Sequence, residues 1–96
     1  MKREQALFSR RRVTIVNQRG LHARAAAKFV KLAGGFDAEI MVCKDGMEVS
    51  GLSIMGLMML AAGPGAEIEL RARGPGRETA IASLAALITA GFDEDL

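Results

Sequence analysis

The sequence predicts an α+β fold: a four-stranded antiparallel sheet covered on one side by three helices, in the order β-α-β-β-α-β-α. Three observations carry this. Glu67-Ile68-Glu69-Leu70-Arg71-Ala72-Arg73 alternates polar and apolar without a fault, the mark of a strand with one buried face. Ala26, Phe29, Val30 and Ala33 stand at i, i+3, i+4 and i+7, the spacing of an amphipathic helix of about three turns. Asp45-Gly46 between two short apolar-alternating runs is a two-residue hairpin signal, because both turn positions want positive φ. Strands with one apolar face must be covered, and helices packed on one side are the economical solution.

The other elements follow in order. Residues 1–10 read as a flexible basic arm. Arg11 to Val16 reads as the first strand, with Val13 and Ile15 on one face, and Asn17-Gln18-Arg19-Gly20 as a turn. Gly34-Gly35 is expected to end the first helix in a left-handed C′ conformation. Ala38 to Lys44 is the second strand and Met47 to Ser50 the third. Ser53 is the expected N-cap of a short apolar helix, Ile54 to Leu60, stopped by Gly63-Pro64-Gly65. Gly74-Pro75-Gly76 turns the fourth strand into a long last helix marked by Ile81, Leu84, Ala85 and Ile88 and closed by Gly91. One domain is expected over 11–92, with an acidic tail over 93–96.

Composition narrows the function. The 96 residues are half hydrophobic, with 4% aromatic residues and no Trp or Tyr. That suits a core of aliphatic side chains and disfavours base-stacking readers of single strands. Cys43 and His22 are the sole residues of their kinds, so neither an internal disulfide nor a Cys- or His-rich metal site can form. Cys43 reads as filler on a strand. The longest apolar stretch, Ile54 to Ala62, is too short to cross a bilayer, and no apolar run follows the basic N-terminus as in a secretory signal. A monomer in the cytoplasm is expected, with no cofactor, no membrane insertion and no nucleic-acid partner. Residues 1–31 carry net charge +8 and residues 32–96 net −6. A basic front half fits either an anionic partner or a solvated strand edge that resists aggregation.

His22 falls between the first turn and the first helix. A helix start exposes unpaired N–H groups, here those of Ala23, Arg24 and Ala25, and its dipole attracts anions. Arg24 adds a planar donor fork suited to phosphate oxygens, and Arg19 a second positive charge. The same field favours a neutral, nucleophilic imidazole. One His, one helix start and one Arg suffice for a phosphoryl carrier, which needs positioning and charge stabilisation. They do not suffice for an enzyme such as a phosphatase, for which no P-loop, Gly-rich fingerprint or carboxylate cluster is present. In Ile54 to Leu60, some of Ile54, Met55, Gly56 and Met58 must reach the surface, and Met-rich faces adapt to several partners.

Gly20-Leu21-His22-Ala23-Arg24, Lys28-Phe29-Val30 and Ser53 to Leu60 together resemble the histidine-containing phosphocarrier proteins, HPr, of the bacterial phosphotransferase system, over about Val13 to Phe92. The resemblance implies an open-faced β-sandwich. It implies phosphorylation of His22 at Nδ1 by phosphorylated enzyme I and onward transfer to a histidine of an enzyme IIA protein. Arg24 matches the phosphate-site arginine and Ile54 to Leu60 the docking helix. Ser53 matches a serine modified in some bacteria by a dedicated serine kinase/phosphorylase. Gly35 to Glu39, Gly74-Pro75 and Gly91 to Asp95 resemble the nitrogen-related, regulatory branch; the carbohydrate-uptake branch is the alternative. Many members have Pro after the Arg where this chain has Ala25. Ala25 restores a donor near the phosphate and removes a conformational lock. The remaining alternative, a small basic nucleic-acid-binding module, is weakened by the missing aromatics and the acidic second half.

Overall fold

The computed structural model describes residues 8–94. Its elements are β1 (Phe8–Thr14), α1 (Ala23–Ala33), β2 (Glu39–Lys44), β3 (Met47–Ser50), α2 (Ile54–Met59), β4 (Glu67–Arg73) and α3 (Arg77–Thr89), followed by a one-turn 3-10 segment, Gly91–Asp93. The sheet order is β1-β4-β2-β3 with every neighbouring pair antiparallel. β4 is central because its inward residues Ile68, Leu70 and Ala72 are flanked by Val13 on one side and Ile40 and Val42 on the other. The helices bury Phe29, Leu57, Ile81, Leu84 and Ile88 against that face. The other face carries Arg10, Arg12, Glu39, Glu69, Arg71 and Arg73 toward solvent.

Asp45 and Gly46 both have positive φ, 50° and 83°, so the β2–β3 hairpin closes as its dipeptide requires. Several boundaries differ from the sequence reading. β1 starts at Phe8, not Arg11, so the last three residues of the expected arm are strand. Pairing extends to Phe8↔Arg73, and the Arg73 guanidinium lies 5.0 Å from the Phe8 ring centre. The rest of the arm, residues 1–7, lies outside the described residues.

α1 does not end in a left-handed glycine: Gly34 keeps right-handed dihedrals of −66° and −12°. The helix tightens instead, with the Gly35 N–H donating to Leu32 O at 3.1 Å and the Phe36 N–H to Ala33 O at 3.3 Å. α2 stops before Gly63, with Ala61 at φ 53° reversing the chain. At the far end Gly91 does close α3, but the acidic tail is not an appendage. Phe92 is fully buried, and Asp93 and Glu94 are carried back onto the body of the protein.

Candidate functional site

The site begins with a backbone clamp. After β1, the Gly20 N–H donates to Asn17 O at 3.1 Å, and the Leu21 N–H donates to Ala62 O at 2.9 Å in the loop after α2. Gly20 sits at φ +65°, and a Cβ there would lie 2.3 Å from Ala62 O. Glycine is therefore required where two loops cross. With Leu21 buried beneath, His22 lands at the N-cap of α1, its carbonyl accepting from the Ala26 N–H at 2.8 Å. Its ring makes no capping bond, at a position that ordinarily carries Ser, Thr, Asp or Asn. The N–H groups of Ala23, Arg24 and Ala25 thus precede the first helical hydrogen bond, as expected. Ala25 is itself buried, so only its backbone can serve a ligand.

Arg19 and Arg24 line one cleft with Gln18, Lys28, Asp93 and Glu94. Arg24 is exposed and makes no ion pair among the described residues, so its fork is open to a ligand. Lys28 Nζ donates to Phe92 O at 2.7 Å. The imidazole is partly covered: Nε2 lies 2.5 Å from Glu94 Oε2. The other carboxylate oxygen, Oε1, accepts from Asn17 Nδ2 at 3.0 Å, and the same Nδ2 donates to Gly20 O at 2.9 Å. Asn17 is completely buried, and its Oδ1 has no partner among the described residues.

The chain reaches Glu94 through three consecutive positive-φ residues, Gly91 at 66°, Phe92 at 57° and Asp93 at 61°. Left-handed backbone costs an L-residue about 1–2 kcal/mol. Burial of the Phe92 ring and the Lys28 bond hold it. The hydrogen bond with His22, then that from Asn17, holds the Glu94 carboxyl below its ordinary value; burial opposes this, and Arg19 reinforces it. With a lowered folded-state value, the carboxylate's contribution to stability is present above the ordinary carboxylate range. It is lost as pH falls through the lowered value.

Beside this cleft, α1 packs on α2. Ser53 caps α2 as expected, its Oγ accepting from the Gly56 N–H at 2.9 Å. Only Leu57 of α2 is buried. Ile54, Met55 and Met58 are exposed as expected, and the apolar surface also includes Met59 and Leu52. Met55 is the extreme at 72% exposure. Gly56 is half-buried and serves close packing: a Cβ there would lie 3.0 Å from Ser53 Oγ and 3.1 Å from Val49 Cβ.

The basic front half divides in two. Arg12 pairs with Glu67 at 3.3 Å on the open sheet face, among the Arg71–Glu69 and Arg73–Glu39 pairs. The cations of the cleft beside His22 are Arg19, Arg24 and Lys28, the last two at i and i+4 on α1, with Lys31 in the last turn of that helix. Among the described residues no group of three His, Cys, Asp or Glu side chains converges as a metal site, and no helix is long and apolar enough to cross a membrane.

Residues 9–90 match the family model PTS-HPr, the PTS HPr component phosphorylation site. The chain belongs to the HPr family of phosphocarrier proteins. It is 46% identical over 84 residues to the phosphocarrier protein HPr of Cupriavidus necator, covering 88% of this chain and 94% of that one. It is 45% identical over 84 residues to the phosphocarrier protein NPr of Escherichia coli K12, covering 86% and 93%. A crystal structure of HPr from Thermoanaerobacter tengcongensis superposes with a TM-score of 0.87 at 42% identity, covering 92% of this chain and 99% of that chain. The open sheet with three helices is thus the HPr architecture.

Asn17, Lys28 and Glu94 were absent from the sequence-derived site. One signal pointed to them: Phe92, a large apolar side chain placed directly before an acidic run, marks a tail that folds back.

Proposed function

We propose that this protein is a phosphocarrier that accepts a phosphoryl group on His22 from phosphorylated enzyme I and passes it to a histidine of an enzyme IIA protein. The observation that carries this reading is the imidazole at the α1 N-cap, free of capping duty, beside the helix-start N–H groups and the exposed fork of Arg24, which makes no ion pair among the described residues. The helix dipole and donors favour the incoming anion, and Arg24 with Arg19 offsets the charge spread over the phosphoryl oxygens in transfer. Members of the HPr family are carriers, so the transient phosphohistidine is the product of one step and the substrate of the next. The relay operates in the cytoplasm with the protein as a monomer.

We assign the relay to the regulatory nitrogen-type branch, supported by Gly35 to Glu39 and Gly91 to Asp95. Carbohydrate uptake is the alternative. Intact-mass analysis after incubation with enzyme I and phosphoenolpyruvate tests the central reading. A gain of one phosphate that vanishes on brief acid treatment supports it, and no gain refutes it.

Arg24→Lys keeps the charge but loses the fork, so transfer slows by about one to two orders of magnitude. Rapid-quench rates equal to wild type in both directions would remove Arg24 from the mechanism.

Donor and acceptor must each approach His22, so both use the adjoining apolar surface of α2. Met55→Glu weakens both complexes by about tenfold, roughly 1.4 kcal/mol, and raised salt slows association through Arg19, Arg24 and Lys31. Unchanged titrations with both partners would limit α2 to a packing role. Ser53 is a candidate for regulatory phosphorylation by a serine kinase. A phosphate of about −1.5 to −2 charge at this cap would sit well on the helix dipole and repel acidic partners from Ile54 and Met55.

A further inference from the structure

Around His22 stands a carboxylate that a phosphate site by itself does not call for. A negative charge 2.5 Å from the acceptor ring opposes the approach of an anionic phosphoryl group. Its function must therefore be directed at the ring. The geometry supports this, because the two Glu94 oxygens have separate duties. Oε1 is held by Asn17 Nδ2, and Oε2 faces His22 Nε2.

Asn17 is built for that task. Its amide nitrogen faces two acceptors, Gly20 O and Glu94 Oε1. Flipping the amide would turn Oδ1 against both, so the observed orientation is enforced and Oδ1 is left buried without a partner. The backbone beneath is also specialised: three successive left-handed residues, Gly91 to Asp93, are held by the buried Phe92 ring and by Lys28. A strained segment tied down at both its ring and its carbonyl delivers one side chain to one nitrogen.

We propose that Glu94 is a positioning residue for phosphoryl transfer, holding the His22 ring by Nε2–H so that Nδ1 presents its lone pair, and balancing the positive charge the ring gains. This rests on the reading that His22 carries the phosphoryl group. In the forward step the Nδ1 lone pair forms the bond to phosphorus. The donor's bond to phosphorus breaks, and its electron pair stays with the donor. Nε2 keeps its proton, so the phosphorylated ring is cationic and stands against the Glu94 carboxylate. Onward transfer reverses the charge change. Arg19, Arg24 and Lys28 line the same cleft as Asp93 and Glu94, so cations for the phosphoryl oxygens stand beside the carboxylate that faces the ring.

The test uses the full chain and two variants. Glu94→Gln keeps an oxygen acceptor without the charge, and Glu94→Ala removes both. In wild type, nitrogen-15 NMR shows a protected His22 Nε2–H signal. Glu94→Gln retains the protected signal and Glu94→Ala loses it. At saturating phosphorylated enzyme I the transfer step slows about tenfold in Glu94→Gln and at least as much in Glu94→Ala. The donor concentration for half-saturation does not rise, because a repulsive charge near an anion-binding cleft has been removed. Circular dichroism of each variant is that of wild type. Equal transfer rates in all three proteins, or no protected Nε2–H in wild type, overturns the proposal. Wild type that takes no phosphate on His22 overturns the functional reading itself and this role with it, an outcome told apart from the others by the unmodified mass of wild type.

Discussion

His22→Ala takes no acid-labile phosphate, while its fold and thermal stability stay close to those of wild type. No other histidine exists to substitute for it. The ring is also dispensable to the fold. It caps nothing, and among the described residues its one hydrogen bond is to Glu94, near the surface. The residue's structural contributions come from its backbone, through the His22 carbonyl that accepts from Ala26. Alanine keeps that carbonyl and is a good helix neighbour. Loss of transfer therefore falls to background rather than by a factor. An acid-labile phosphate at the normal rate in His22→Ala would refute the central assignment.

Gly20→Ala is expected to produce the largest loss of stability from a single added methyl group. The residue is at φ +65°, where an L side chain is strained, and the new Cβ would stand 2.3 Å from the carbonyl oxygen of Ala62. That neighbour is backbone and already accepts from the Leu21 N–H, so it cannot retreat without breaking the clamp. Strain and clash together destabilise by about 2–4 kcal/mol. Gly46→Ala is the control: φ is +83°, but nothing lies within 4 Å of the added Cβ. It costs about 1 kcal/mol from backbone strain alone. Urea denaturation separates the two. Equal midpoints for the variants would show that the loop crossing yields. Because the clamp sets the α1 N-cap, Gly20→Ala also slows phosphoryl transfer in the fraction that remains folded.

The arginines of the front half teach a point about charge. Counted along the chain, Arg10 to Arg12 and Arg19 to Lys31 form one basic block. Folded, Arg12 meets Glu67 across the open sheet face while Arg19 and Arg24 border the cleft. Net charge by segment is a sum over positions that the sheet sends in different directions. Arg19 and Arg24 border the cleft beside Glu94 and His22, where a partner docked at the imidazole would meet their charge at short range, within the Debye length of about 8 Å at physiological salt.

Much of this protein is set by local rules that its sequence states outright. The alternation of Glu67 to Arg73, the Ile81-Leu84-Ala85-Ile88 stripe, the Asp45-Gly46 turn, the Ser53 cap and the place of His22 before α1 each depend on residues within a turn or two of one another. Backbone sterics and side-chain periodicity decide such features. Where a local rule competed with packing it failed: Gly34 stays right-handed, and Ala61 rather than Gly63 turns the chain after α2. What only the tertiary structure decided are the meetings of distant segments. Glu94 reaches His22 across 72 positions and Asn17 across 77, and Ala62 closes on Gly20 across α1, the β2–β3 hairpin and α2. No propensity or spacing encodes these. They arise because sheet order and the burial of Phe92 bring the tail against the loop between β1 and α1, where Glu94 meets the imidazole.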